Sequence, residues 1–229
     1  MTVRNFVLIP GAWHGAWCWH KLTPLLLQAG AKVIAPELSS GGSFEEWAQS
    51  VAGIVDREPG CVLVGHSRGG AVISRAAELA PQPIGRLVYL SAYLLRDGQS
   101  VAEEARRDAG SLIPPNMVAV KRGLTCTIRT EVLRETFYGE CTDEDFEYAR
   151  TRIAPEPLRA LAAPLRITAE RFGRVPRAYI ETLRDRAVTH AAQRRMQSEL
   201  PCERVFTLDT DHSPFFSQPE ALARILISI

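Results

Sequence analysis

Cys61-Val62-Leu63-Val64-Gly65-His66-Ser67-Arg68-Gly69-Gly70-Ala71-Val72-Ile73-Ser74-Arg75-Ala76-Ala77 is the stretch that decides the fold. It opens with an apolar run of strand character, passes through Gly-His-Ser-Arg-Gly and continues in a helical pattern. A G-x-S-x-G pentapeptide in that setting reads as a nucleophile elbow, a strand-to-helix turn with serine at its tip. The turn holds the serine backbone in a strained conformation, and bulky neighbours two residues away on either side would collide. Gly65 and Gly69 remove those collisions. The helix that follows aims its free N–H groups at the reacting oxygen. Without the strand and the helix, the same five residues would be a glycine-rich turn with an incidental serine.

Outward from the elbow, short β-rich runs alternate with longer helical patterns. The expected strands are Phe6–Ile9, Lys32–Ala35, Val62–Gly65, Leu87–Leu90, Ala178–Glu181 and Arg204–Leu208. Most are continuously apolar, as strands covered on both faces must be. Ser43 with Glu46, Ser100 with Glu103 and Thr142 with Asp145 fit capping boxes, and Pro219 fits the first turn of a last helix. Strands alternating with helices predict an α/β fold, a mostly parallel sheet with helices on both faces. From about residue 94 to 172 no core strand is expected, only polar helical patterns and prolines. This interval reads as a small helical cap inserted into a single domain spanning 1–229.

The chain has 229 residues and a formal net charge of +1, which suits one domain and implies neither nucleic acid nor an anionic membrane as partner. No apolar run reaches the length of a membrane span. Phe6-Val7-Leu8-Ile9 is too short for the core of a signal peptide, so a cytoplasmic protein is expected. The five cysteines form no C-x-x-C pair and leave one over, which fits reduced thiols. Cysteines and histidines show no zinc-ligand spacing, so no metal is expected.

A serine hydroxyl is a weak nucleophile until a base takes its proton, and the base needs a third group to fix its tautomer. Behind a G-x-S-x-G elbow the partners follow in the order Ser, acid, His. His212 lies just past the last expected strand, where loops at the carboxyl ends of an open α/β sheet carry active sites. Asp185, one strand earlier, is the first candidate acid and Asp97 its rival. Asp209 and Asp211 are close in sequence to His212, but neighbours of a loop histidine rarely face its ring nitrogen. Ser67, Asp185 and His212 are thus the expected triad. The oxyanion needs two N–H donors, expected from Arg68 and from Ala12 in Pro10-Gly11-Ala12-Trp13. Gly11 lets that backbone approach closely. The Arg68 side chain has no role in this scheme and is expected to be solvated or salt-bridged.

Together these residues resemble the α/β-hydrolase superfamily. Within it the chain is similar to the plant methylesterases and hydroxynitrile lyases and their bacterial carboxylesterase relatives. The resemblance is carried by Phe6–Trp19, Gly65–Gly70, Glu170–Ile180 and Asp211-His212. It runs nearly end to end and is weakest around residues 96–135. It implies the acid at Asp185, no cofactor and often a homodimer. The family usually has His-Gly where this chain has Pro10-Gly11, and the connection Pro36–Ser43 is shorter than the family's. The lyases of the group carry threonine at the position of Gly11 and lysine at that of Ser213. The missing lysine removes the charge that would stabilise departing cyanide, unless Lys121 or Arg129 of the cap supplies it.

The expected activity is cofactor-independent serine hydrolysis of a small apolar or aryl carboxylic ester through an acyl-enzyme. Gly11, Trp13 and Ser213 are the expected substrate contacts, Trp13 first among them. Phe137, Tyr138, Phe215 and Phe216 are as readily core. The competing classes are lyase or cyclase chemistry on the same triad and a non-catalytic small-molecule receptor.

Overall fold

The computed structural model describes residues 4–38 and 41–229, without the side chain of Lys121. The middle of the connection Pro36–Ser43 therefore lies outside the described residues. The central strands are β1 (Asn5–Ile9), β2 (Lys32–Ile34), β3 (Cys61–His66) and β4 (Ile84–Leu90). Three short strands follow in the cap, β5 (Met117–Val120), β6 (Thr125–Ile128) and β7 (Glu156–Pro157), before β8 (Arg177–Thr182) and β9 (Arg204–Leu208) return to the main sheet.

The main sheet has the order β2-β1-β3-β4-β8-β9, and every neighbouring pair is parallel. All six expected strands are present. A parallel strand inside such a sheet has helices over both faces, and all six residues of β3 are buried. Leu63 and Val64 have no exposed surface, which is worth roughly 1.5–3 kcal/mol for each such side chain. The helices Phe44–Val55 and Gly69–Leu79 pack together, as do Leu22–Gln28 and Pro219–Ser228. Ser43–Glu46 and Ser100–Glu103 form full capping boxes. Thr142 caps its helix through the Asp145 N–H without the reciprocal bond. Pro219 opens the last helix. Among the described residues no helix is long and apolar enough to cross a membrane.

The order of strands fixes where a site can form. The chain runs from β1 outward to β2, then crosses to β3 on the other side of β1. The strand order reverses between β1 and β3, and their carboxyl ends open a crevice. Ile9 is paired with Gly65, so the residues after each strand meet directly.

The cap departs from expectation. Besides the short helices Val101–Arg107, Leu133–Phe137, Asp143–Arg150 and Leu158–Ala162 it holds an antiparallel sheet, β5-β6-β7. The β5–β6 hairpin turns through Arg122 and Gly123, with φ of 57° and 82°. In β6 the side chains of Cys126 and Ile128 are buried while Thr125 and Thr127 are partly exposed. That two-residue period is real but only four residues long, too short to stand out from helical patterning.

Candidate active site

Ser67 sits at the end of β3 with φ 52°, the left-handed conformation that L-residues other than glycine avoid. The strain is held by backbone bonds on both sides. Ser67 N–H donates to the Leu90 carbonyl at 3.2 Å, and the Ser67 carbonyl accepts from Gly70 at 3.0 Å and Tyr93 at 3.1 Å. The glycines act as expected. A Cβ on Gly65 would stand 2.6 Å from the Gly69 carbonyl oxygen, and one on Gly69 would stand 2.7 Å from that of Ile9.

The loop after β1 lies against this elbow. A Cβ on Gly11 would come within 2.9 Å of both His66 Nδ1 and Ser67 Cβ. Ala12, Ser67 and Arg68 share the wall of one cavity. The N–H groups of Ala12 and Arg68 have no backbone acceptor among the described residues. They are free to meet charge that develops at Ser67.

Asp185 follows β8 and His212 follows β9, neighbouring parallel strands whose ends are aligned by the pair Thr182–Leu208. His212 Nδ1 donates to Asp185 Oδ2 at 2.7 Å. Asp185 Oδ1 accepts from the N–H groups of Ala187 and Val188, and Oδ2 also accepts from Thr182 Oγ1 and Gln193 Nε2. The carboxylate is thus saturated with donors and fixed in place. The His212 ring lies 4.5 Å from that of His66 and 5.6 Å from that of Phe137, centroid to centroid. Among the described residues Ser67 Oγ makes no hydrogen bond. His212 keeps Nδ1 on Asp185, and its carbonyl accepts from His66 Nε2 at 2.9 Å. In free enzymes the serine–histidine contact often tightens only around substrate.

The rival carboxylates point elsewhere. Asp97 accepts the Ile167 N–H at the surface. Asp209 pairs with Arg184. Asp211 accepts from Glu140 N–H, Ser213 N–H, Ser217 Oγ and Cys141 Sγ, which ties the His212 loop to the cap. Burial raises the Asp211 carboxyl above its ordinary value despite those donors. Two further histidines line the back of the site, a feature the sequence did not single out. His66 must carry its proton on Nε2 to reach the His212 carbonyl. Burial, and then the neighbouring His212 and His14, hold it neutral, well below the usual histidine range. His14 bridges the Ala12 carbonyl and the Tyr138 hydroxyl, and burial lowers it to about 4.

The cavity above Ser67 has a volume of about 310 Å³. Its walls are mostly apolar, from Tyr93, Val101, Ile113, Met117 and Leu161, with Trp13 beside the oxyanion loop. Trp13 is on the wall as expected, its indole N–H fixed on the Cys126 carbonyl at 3.0 Å. Of the other expected substrate contacts, Gly11 lies against His66 and Ser67, and Ser213 is fully buried with no partner for its hydroxyl among the described residues; neither is among the residues lining this cavity. Phe137, Tyr138, Phe215 and Phe216 are core. Arg129 is not on the wall, while Arg106 is, and it is exposed at the rim. The Lys121 side chain lies outside those described. Arg68 is not solvated: its side chain is 2% exposed and pairs with Glu156. Among the described residues no group of three or more His, Cys, Asp or Glu is placed to hold a metal ion.

The Alpha/beta hydrolase family profile matches residues 6–225. An Arabidopsis thaliana protein named as a chloroplastic methylesterase is 31% identical over all of this chain, which spans 64% of that protein's length. A pheophorbidase of Raphanus sativus is 30% identical, with 99% of this chain and 94% of that protein covered. The solved structure of a pyrethroid hydrolase from Sphingobium faniae superposes with a TM-score of 0.87 at 31% identity, covering 99% of this chain and 97% of the other. The chain belongs to the alpha/beta hydrolase family and to its methylesterase-like group.

Proposed function

We propose that this member of the alpha/beta hydrolase family is a serine carboxylic-ester hydrolase with Ser67, His212 and Asp185 as its triad. One observation carries the reading: the chain holds a buried Asp185–His212 hydrogen bond after β8 and β9, and a strained serine after β3 of the same sheet lines an apolar cavity. The relatives support it, being named as methylesterases, a pheophorbidase and a pyrethroid hydrolase.

In this scheme His212 Nε2 takes the Ser67 proton as Oγ attacks the ester carbonyl carbon. Asp185 holds Nδ1–H and stabilises the imidazolium. The N–H groups of Ala12 and Arg68 hold the oxyanion. Collapse of the tetrahedral intermediate expels the alcohol, which receives the proton from His212. Water, activated by the same histidine, then releases the acid and restores Ser67. All groups used belong to the chain itself. A cavity of about 310 Å³ with apolar walls suits a small apolar or aryl ester, with Arg106 at the rim as an exposed cation for a polar tail. The homodimer common in the resembling group is the proposed assembly, read by light scattering.

The test is labelling with a fluorophosphonate probe together with a screen of methyl, aryl and lactone esters. Labelling at Ser67 with turnover of at least one ester class is expected. A folded protein that is neither labelled nor active on any ester would be a receptor on this fold.

A further inference from the structure

Arg68 supplies a backbone N–H to the proposed oxyanion hole, but its side chain has no part in the triad. It is also one of the largest fully buried side chains of the protein. Burying a guanidinium is costly unless its donors are met. Nη2 donates to the Gly11 carbonyl at 3.0 Å, Nε forms an ion pair 3.0 Å from Glu156 Oε1 without hydrogen-bond alignment, Nη1 has no hydrogen-bond partner among the described residues, and the guanidinium carbon stands 4.4 Å over the Trp47 ring. Glu156 comes from β7 of the cap, and its other oxygen accepts the Trp13 N–H at 3.3 Å.

The partner on the loop is the informative one. The Gly11 carbonyl and the Ala12 N–H belong to one peptide plane, and no peptide bond among the described residues is cis. In a trans peptide the two point in opposite directions and turn as a unit. A donor that holds the carbonyl oxygen therefore also aims the N–H on the other side. A charged donor on the oxygen also polarises the amide and strengthens the bond its N–H can make. Glu156 takes the next N–H along, that of Trp13, whose φ is 64°. The same carboxylate thus neutralises Arg68 and holds the loop in a conformation that tryptophan does not favour by itself.

We propose that the Arg68–Glu156 pair is a positioning device for the oxyanion hole, with the guanidinium aiming the Ala12 N–H through the Gly11 carbonyl and Glu156 locking both to the cap. Arg68 then serves both donors, one by its own backbone and the other by its side chain. This rests on the hydrolase reading of the site. The competing account is a buried ion pair that only ties cap to core.

Single substitutions would leave a buried charge unpaired and could unfold the protein, so the informative variant is Arg68→Met combined with Glu156→Gln. It removes both charges at nearly constant volume and leaves both backbone donors in place. The measurements are kcat and KM for an aryl ester, thermal midpoint, and affinity for a boronic acid that mimics the tetrahedral adduct. Expected is a fall in kcat of roughly tenfold or more with KM within about threefold, since the lost interaction acts on the transition state. Boronate affinity should fall in step with kcat/KM, while a non-reactive product acid binds as before. Arg68→Lys, which keeps a charge beside Glu156, should recover stability but not the full rate. A folded double variant with kcat within twofold of the parent, or with KM and product binding carrying the whole loss, would overturn the proposal and leave the pair as a structural tie. A parent protein inactive on every ester would instead remove the hydrolase reading, and this proposal with it.

Discussion

His212 Nδ1 lies 2.7 Å from Asp185 Oδ2, with both side chains closed off from solvent. A histidine donating through Nδ1 presents Nε2 as the lone-pair nitrogen, the form in which it can take a proton. The bond therefore sets a chemical state as well as a position. Asp185→Asn can offer Nδ1 an amide donor instead and so favour the wrong tautomer. We expect it to lower kcat by about 10³- to 10⁴-fold, whereas Asp97→Asn, which alters a surface contact to Ile167, stays within about threefold. Both are read as steady-state rates on variants of matched stability. The reverse ranking would move the acid to Asp97.

Ser67 combines the nucleophilic hydroxyl with a positive φ, so the two can be separated by substitution. Ser67→Ala should remove ester turnover by at least about 10³-fold while the fold survives. Ser67→Gly should be equally inactive yet more stable than Ser67→Ala by about 1 kcal/mol, because glycine adopts φ 52° without the penalty. Chemical denaturation compares the two. Equal midpoints would show that the elbow is not strained at this residue.

His14 supplies a pH dependence of stability. Burial lowers it from 6.5 to about 4, so as pH falls the unfolded chain takes up the proton before the folded one. Stability is at its full value above pH 6.5, is lost as pH drops toward about 4, and changes no further from this group below that. The span of 6.5 − 4 = 2.5 units corresponds to roughly 3 kcal/mol at 1.36 kcal/mol per unit. His66, also lowered, adds in the same direction, and Asp211, raised, opposes it above its ordinary value. The urea midpoint should therefore fall between pH 6.5 and 4 in the parent and fall less steeply in His14→Gln. Parallel slopes in the two proteins would contradict the assignment.

Hydrolysis should exceed cyanohydrin cleavage by a wide margin. Ser213 stands after the base where the lyases of the group carry lysine, and Gly11 stands where they carry threonine. Gly11→Thr should not convert the enzyme, because its Cβ would press on His66 Nδ1 and Ser67 Cβ at 2.9 Å. We expect that variant to lose ester turnover by tenfold or more and to gain no lyase activity. The assay offers mandelonitrile and an aryl acetate to the same preparation. Faster release of benzaldehyde than of the aryl alcohol, in parent or variant, would promote the lyase reading.

Much of the fold and of the candidate site was legible in the residues because the signals are local. Apolar runs of strand length, the glycines around Ser67 and the capping pair Ser43–Glu46 each act within a few residues. Chain order and position after a strand nominated His212 and put Asp185 ahead of Asp97 for the acid, with Asp209 and Asp211 set aside as sequence neighbours of the histidine. Tertiary structure alone decided the rest. The cap hairpin β5–β6 was missed because four alternating residues are a weak pattern until β7 pairs with them and Cys126 and Ile128 find a core to face. Ser213 stands next to His212 in sequence, yet it is fully buried, and Gly11 packs against His66 and Ser67; neither is among the residues lining the cavity. Arg68 was expected to be solvated or salt-bridged; it is salt-bridged, and its partner could not be named because Glu156 lies in the cap, far along the chain. Local spacing determines which conformation a segment can adopt. Which buried charge meets which depends on how distant segments are folded together, and no short pattern encodes that distance.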